Sequence, residues 1–280
     1  MNALKTAFFL GLLSALIVVI GGAFGGRQGM ILALGLAAAM NFFSYWFSDR
    51  MVLAMHRAQP LTREQAPRLY EILESLTGRA GIPMPRVYIL PEEAPNAFAT
   101  GRNPQHAAVA VTQGIMKLLS PEELEGVLAH ELAHVRNRDI LISSIAATLA
   151  TAIMVIANMA RWAALFGGVG GRNDRDGANP IVLLATAIFA PFAAMLIQLA
   201  VSRAREYQAD ASGSEMTHNP QGLASALQKL EAYSQRIPMA TASATSNHLF
   251  IVNPFTGRAL TGLFSTHPPI QERIRRLLGR

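Results

Sequence analysis

The chain has 280 residues, of which 51% are hydrophobic and only 15% charged, and it carries a formal net charge of +6. So apolar a composition excludes an ordinary soluble domain, and the absence of cysteine excludes a disulfide framework and a thiolate metal site. The basic excess does not suit nucleic acid, because no Lys/Arg tract interleaves with aromatics. Many arginines instead flank apolar runs, as membrane-adjacent charge does.

In chain order, the first apolar run, Leu4 to Phe24, is broken only by Lys5, Thr6 and Ser14. As a helix it is long enough to cross a hydrocarbon core of about 30 Å. Gly25, Gly26, Arg27 and Gln28 read as a turn into a second run, Gly29 to Phe47, where Tyr45 and Trp46 suit an interfacial aromatic belt. Residues 1–48 therefore read as a membrane hairpin. Arg63 to Gly78 has the apolar spacing of a helix, followed by short β-rich runs at Arg86 to Leu90, Asn96 to Thr100 and Ala107 to Thr112. Ser120, Pro121 and Glu123 then supply an N-cap, a first-turn proline and a capping-box acid, which start another helix.

A third apolar stretch runs from Ile140 to about Val169 and a fourth from Pro180 to Val201, joined by the Gly-rich, mixed-charge loop Gly167 to Asn179. The expected fold is α+β: four transmembrane helices in two hairpins, with a mainly helical polar domain and a small sheet. Residues 140–201 form the second hairpin, inserted between the two parts of the polar domain, 49–139 and 202–280. The arginines at 50, 57, 63, 68, 136, 138, 203 and 205 flank the spans on one side. By the positive-inside rule that side, with both termini, faces the cytoplasm. Pro238 to Phe264 reads as a lid by composition and position.

The helix opened by Ser120 carries His130-Glu131-Leu132-Ala133-His134. Two histidines four residues apart share one helix face, so both imidazoles reach one metal ion, and Glu131 leans toward the same side as a general base. A catalytic zinc takes three protein ligands and keeps one position open; without cysteine, the third is His, Glu or Asp. Glu206 is best placed, because a hairpin over 140–201 returns the chain to the His-bearing helix. Asp210, one turn beyond Glu206, is positioned to accept the second ring N–H of a ligating histidine. The spans hold almost no ionisable group besides Arg161, which argues against a transporter.

These residues resemble the membrane zinc peptidases of the HtpX type, related to the type 1 CAAX prenyl protease. The likeness rests on His130 to His134, on Ser202-Arg203-Ala204-Arg205-Glu206-Tyr207-Gln208-Ala209-Asp210, on Asn96 to Thr100, and on Thr266-His267-Pro268-Pro269 with Glu272-Arg273. The resemblance implies a zincin, gluzincin-like fold with one Zn2+ per chain, held by His130, His134 and Glu206, with Glu131 catalytic. It implies proteolysis of membrane proteins or unfolded polypeptides in quality control, at the cytoplasmic face of a bacterial inner membrane. Carried over by position, Asn96 falls on the strand bordering the cleft, where substrate pairs by strand addition, and His267 and Arg273 line the site as oxyanion-stabilising residues. His56, His106, His218 and His248 have no motif context and read as structural or surface residues. CAAX-type processing, or a non-enzymatic scaffold that keeps the zinc fold, are the alternative readings. The expected partners are polypeptide substrates and the lipid bilayer, with no nucleic acid.

Overall fold

The computed structural model describes residues 2–146, 148, 203–234, 251 and 268–279. His267, the two later apolar runs beyond the helical residues 140–146, and the expected lid apart from Ile251 lie outside the described residues. Helix α1 runs over Asn2–Met55 with one break, at Gly26 (φ 54°, ψ −142°), a conformation that a Cβ would strain. The chain folds back there, within the turn expected at 25–28. Asn41 Nδ2 on the second arm donates to Ser14 Oγ at 2.8 Å and to the Leu10 carbonyl at 3.4 Å on the first. Among the described residues one helix, Gly26–Met55, is long and apolar enough to cross a membrane. It extends past the expected end at Phe47 because its last turns are packed rather than lipid-like: Val52, Leu53 and His56 are buried.

Strand β1 (Gln59–Pro60) leads to helix α2 (Pro67–Ala80), which opens on proline and stops at Gly81 in the left-handed conformation. Strands β2 (Arg86–Leu90), β3 (Ala97–Gly101) and β4 (Ala107–Thr112) follow, in close agreement with the three β-rich runs. The sheet order is β1-β2-β4-β3, with β2 parallel to β4 and β3 antiparallel to it, so β3 is an edge strand. Gly101 (φ 141°) is required at the β3–β4 connection, since a Cβ would lie 2.4 Å from the His106 carbonyl oxygen.

Alternation along β3 and β4 sends side chains to two different cores. Ala97, Ala99, Val109 and Val111 join the main core with α2 and the later helices. Phe98, Ala108 and Ala110 face the other way and pack on Val52 and Leu53 at the end of α1. Both faces are therefore covered, and the sheet couples the apolar hairpin to the rest of the molecule.

Helix α3 (Gln113–Leu118) is capped by the Thr112 hydroxyl. Helix α4 (Pro121–Arg136) has the expected complete capping box between Ser120 and Glu123. Helices α5 (Arg203–Thr217) and α6 (Pro220–Ser234) pack against it, and α7 (Ile270–Leu277) packs on α5 and α6. Leu69, Leu73 and Leu76 of α2 and Leu128 and Leu132 of α4 are fully buried, each contributing roughly 1.5–3 kcal/mol. Two glycines set the spacing on α4. A Cβ at Gly126 would lie 2.6 Å from the Leu223 backbone nitrogen of α6, and one at Gly213 of α5 would lie 3.0 Å from the His130 backbone nitrogen. Glu123 also ties α4 to α6, accepting from Ser225 Oγ at 2.6 Å and Lys229 Nζ at 2.8 Å.

Candidate metal centre

Helix α4 presents His130 and His134 from successive turns, their ring planes perpendicular and their Nε2 atoms 3.2 Å apart. The close approach of α5, which Gly213 permits, brings Glu206 to the same point. Its carboxylate oxygens lie 3.7 Å from His130 Nε2 and 3.6 Å from His134 Nε2. The three ligand atoms all fall within 4.8 Å of one another, a grouping suited to a metal ion. Tetrahedral zinc with bonds of about 2.0–2.1 Å has ligand–ligand edges of about 3.3 Å, so separations of this size fit that ion.

The other ring nitrogens are held as well. His130 Nδ1 lies 2.9 Å from Asp210 Oδ1, and His134 Nδ1 lies 3.2 Å from Asp139 Oδ2. With Nδ1 held by a carboxylate, each ring turns Nε2 toward Glu206, which is how neutral metal-binding imidazoles are oriented. Asp210 stands where the spacing placed it. Asp139 was not anticipated: it follows α4 through Arg138, whose left-handed φ of 59° turns the chain back, and its backbone N–H donates to the His134 carbonyl at 2.9 Å. From His134 to Asp139 is a five-residue step, more than one helical turn, so helix-face spacing alone does not mark it.

Glu131 points from α4 toward the sheet, where the Ala99 N–H on the outer edge of β3 donates to its Oε2 at 2.9 Å. Its Oε1 has no hydrogen-bond partner among the described residues. Burial raises the Glu131 pKa to about 8, with Glu206 adding to the rise and His134, the Ala99 N–H and Arg273 opposing it. Burial lowers His130 to about 4 against the pull of Asp210. At His134 burial acts downward too, but the Asp139 hydrogen bond and the charges of Glu206 and Glu131 prevail and raise it to about 9. Four carboxylates, Glu131, Asp139, Glu206 and Asp210, and two imidazoles are thus packed into a largely buried site, an arrangement a divalent cation helps neutralise.

Arg273 of α7 is 0% exposed. Its Nε and Nη2 donate to the two Asp210 oxygens at 2.9 and 2.7 Å, and its Nη1 donates to the Ile251 carbonyl at 3.2 Å. Burial works to raise the Asp210 pKa, but the guanidinium and His130 hold it near 2, so the carboxylate stays charged. Asn96 is also buried, its side-chain oxygen accepting from the Ile251 N–H and the Ala97 N–H, each at 3.1 Å. Asn96 and Arg273 thus meet at the Ile251 backbone, behind His130.

A model of peptidase family M48 matches residues 63–280 of this chain. A "Protease HtpX homolog" from Syntrophobacter fumaroxidans is 60% identical over 274 residues, covering 98% of this chain and 97% of the relative. Another from Ralstonia pickettii is 54% identical over 281 residues, covering 99% and 96%. Among solved structures, the crystal structure of S. mikatae Ste24p superposes with a TM-score of 0.51 at 18% identity. The match covers 99% of this chain but spans 63% of that one, and it speaks for the fold alone. With the family match, the near full-length relatives and the His-His-Glu cluster together, the chain belongs to peptidase family M48 and is a membrane zinc metalloprotease.

Proposed function

We propose that this chain hydrolyses peptide bonds of membrane proteins and unfolded polypeptides, with zinc held by His130, His134 and Glu206 and with Glu131 as general base. The observation that carries this reading is the convergence of His130 Nε2, His134 Nε2 and the Glu206 carboxylate beside a buried Glu131. Zinc bound there would polarise the scissile carbonyl and acidify the attacking water. The residues supply the rest. Glu131 is fixed through Oε2 by the Ala99 N–H, which leaves Oε1 to take the proton from water and return it to the departing amine. Asp210 and Asp139 orient the two imidazoles. Strand β3 is an edge strand beside Glu131, suited to pairing with an extended substrate. Arg273 is committed to Asp210 and Ile251, which supports a positioning role for it in place of direct oxyanion contact.

In the same reading the protein is integral to a bacterial inner membrane, with four spans and with the site and both termini in the cytoplasm. The protease domain comprises 49–139 and 202–280, and the second hairpin is 140–201. The back-folded α1 supports this, because only 17% of the apolar window in Gly26–Met55 is buried within the chain. Leu32 and Ile31 are 75% and 62% exposed there, a face that lipid would cover. The reading is tested by incubating the purified chain with a model membrane protein, with and without a zinc chelator, beside Glu131→Gln. Cleavage that survives both treatments would refute it.

A further inference from the structure

We propose that Arg102, whose guanidinium lies over Trp46, and Arg50, one helical turn beyond Trp46 with its guanidinium over the Phe47 ring, form a binding site for the phosphate of an anionic phospholipid at the membrane end of β3. This rests on the membrane reading of α1 and deepens it. Phe42, Trp46 and Arg50 lie at successive four-residue steps, so they line one stripe of the helix, passing from apolar through amphipathic to cationic. That order matches the depth profile of a lipid from acyl chain to headgroup. The Phe42 and Trp46 rings touch, with centroids 6.2 Å apart, and the two side chains are 54% and 44% exposed. The Arg102 guanidinium sits over the Trp46 ring at 4.7 Å, which brings a second cation to the level of the indole.

The charges select the occupant. Arg63, Arg79, Arg86, Lys117 and Lys229 all have carboxylate partners. Neither Arg50 nor Arg102 has one among the described residues. Two such cations, one over Trp46 and one over Phe47, at the end of a lipid-exposed helix fit a phosphodiester, and planar guanidinium donors suit its oxygens.

The position ties this site to catalysis. Arg102 directly follows β3, and Ala99, which holds Glu131, lies three residues back, about 10 Å along the strand. On the other side Thr100 Oγ1 meets Ser144 Oγ at 2.7 Å, on the helical residues 140–146. The strand beside the catalytic base is thereby pinned between two apolar helices, and a headgroup bridging Arg50 and Arg102 would fix its outer end.

The chain has two tryptophans, so Trp162→Phe leaves Trp46 as the sole tryptophan, excited selectively at the red edge of its absorption. The full chain carrying that change is reconstituted in vesicles containing equal mole fractions of phosphatidylcholine and phosphatidylglycerol, with bromine on one or the other lipid. One surface arginine enriches anionic lipid about fivefold, so brominated phosphatidylglycerol should quench Trp46 clearly more than brominated phosphatidylcholine. Arg50→Gln with Arg102→Gln should equalise the two. Equal quenching without those changes would overturn the headgroup site and leave the membrane reading standing; no quenching by either lipid would overturn the membrane reading itself. A phosphatidylglycerol preference that persists in the double variant would equally refute a phospholipid site built on these arginines. Native mass spectrometry of the unaltered chain from mixed micelles gives an independent readout: retained phosphatidylglycerol supports the site, and none retained refutes it.

Discussion

Arg273 and Asp210 lie 63 residues apart in sequence and form a two-pronged ion pair in which Nε and Nη2 each take one carboxylate oxygen, at 2.9 and 2.7 Å. Because Asp210 also holds His130 Nδ1, and Arg273 Nη2 itself lies 3.4 Å from that nitrogen, the C-terminal helix reaches the metal site both through a carboxylate and directly. Arg273→Gln leaves that carboxylate buried and uncompensated, which costs about 3–5 kcal/mol, and zinc affinity should fall about 10–100-fold. Thermal melting with and without zinc, beside a competitive zinc titration, checks both. Arg273→Lys keeps the charge but loses the fork, so it should fall between. Unchanged zinc affinity in Arg273→Gln would remove Arg273 from the support of the site.

Glu131→Gln keeps an oxygen for the Ala99 N–H and changes little in volume. It should bind zinc normally while the hydrolysis rate drops by about 10²–10⁴. Metal content and single-turnover cleavage of the same preparation separate the two effects.

Gly213→Ala and Gly126→Ala distinguish the two contacts of α4. The added Cβ at Gly126 meets Leu223 backbone at 2.6 Å, remote from the ligands, whereas at Gly213 it meets the His130 backbone at 3.0 Å. Both should destabilise by about 1–3 kcal/mol. Gly213→Ala should in addition weaken zinc binding, since α5 carries Glu206; a variant that loses stability with unaltered zinc affinity would argue against that coupling.

Part of the acid sensitivity should arise outside the metal site, at His56. Burial lowers its pKa from 6.5 to about 4, with the charge of Glu92 opposing. Between those values the unfolded chain binds a proton that the folded chain does not. The stability contribution of His56 is therefore fully present above pH 6.5 and is lost as pH falls toward 4, by up to about 3 kcal/mol. Melting temperatures in detergent across that window should fall with pH, and His56→Leu should flatten the slope. An identical slope in the variant would assign the effect to other groups.

Much of this architecture was legible because its signals are local. Ser120, Pro121 and Glu123 announce α4, the short β-rich runs mark β2, β3 and β4, and the Gly25–Gly26 pair marks the fold-back of α1. The His130, His134 and Glu206 grouping was legible from spacing on α4 joined to the idea of a returning hairpin. What depended on tertiary contact was not. No periodicity reveals that β2 and β4 pair in parallel with β3 outside them, or that α1 runs on to Met55 because the sheet covers Val52 and Leu53. Arg273 sits in a basic terminal helix beside Arg275 and Arg276, which pair with Glu272 at the surface. Apart from the family resemblance, only the fold distinguishes the arginine of that helix that turns inward.

The central claim is that one zinc ion is held by His130, His134 and Glu206 beside Glu131. Anomalous diffraction at the zinc edge, from crystals of the Glu131→Gln variant, tests it most directly. The expected result is one peak about 2.0–2.2 Å from both Nε2 atoms and from a Glu206 carboxylate oxygen. A peak elsewhere, or a zinc ion bound to the two histidines without Glu206, would contradict it.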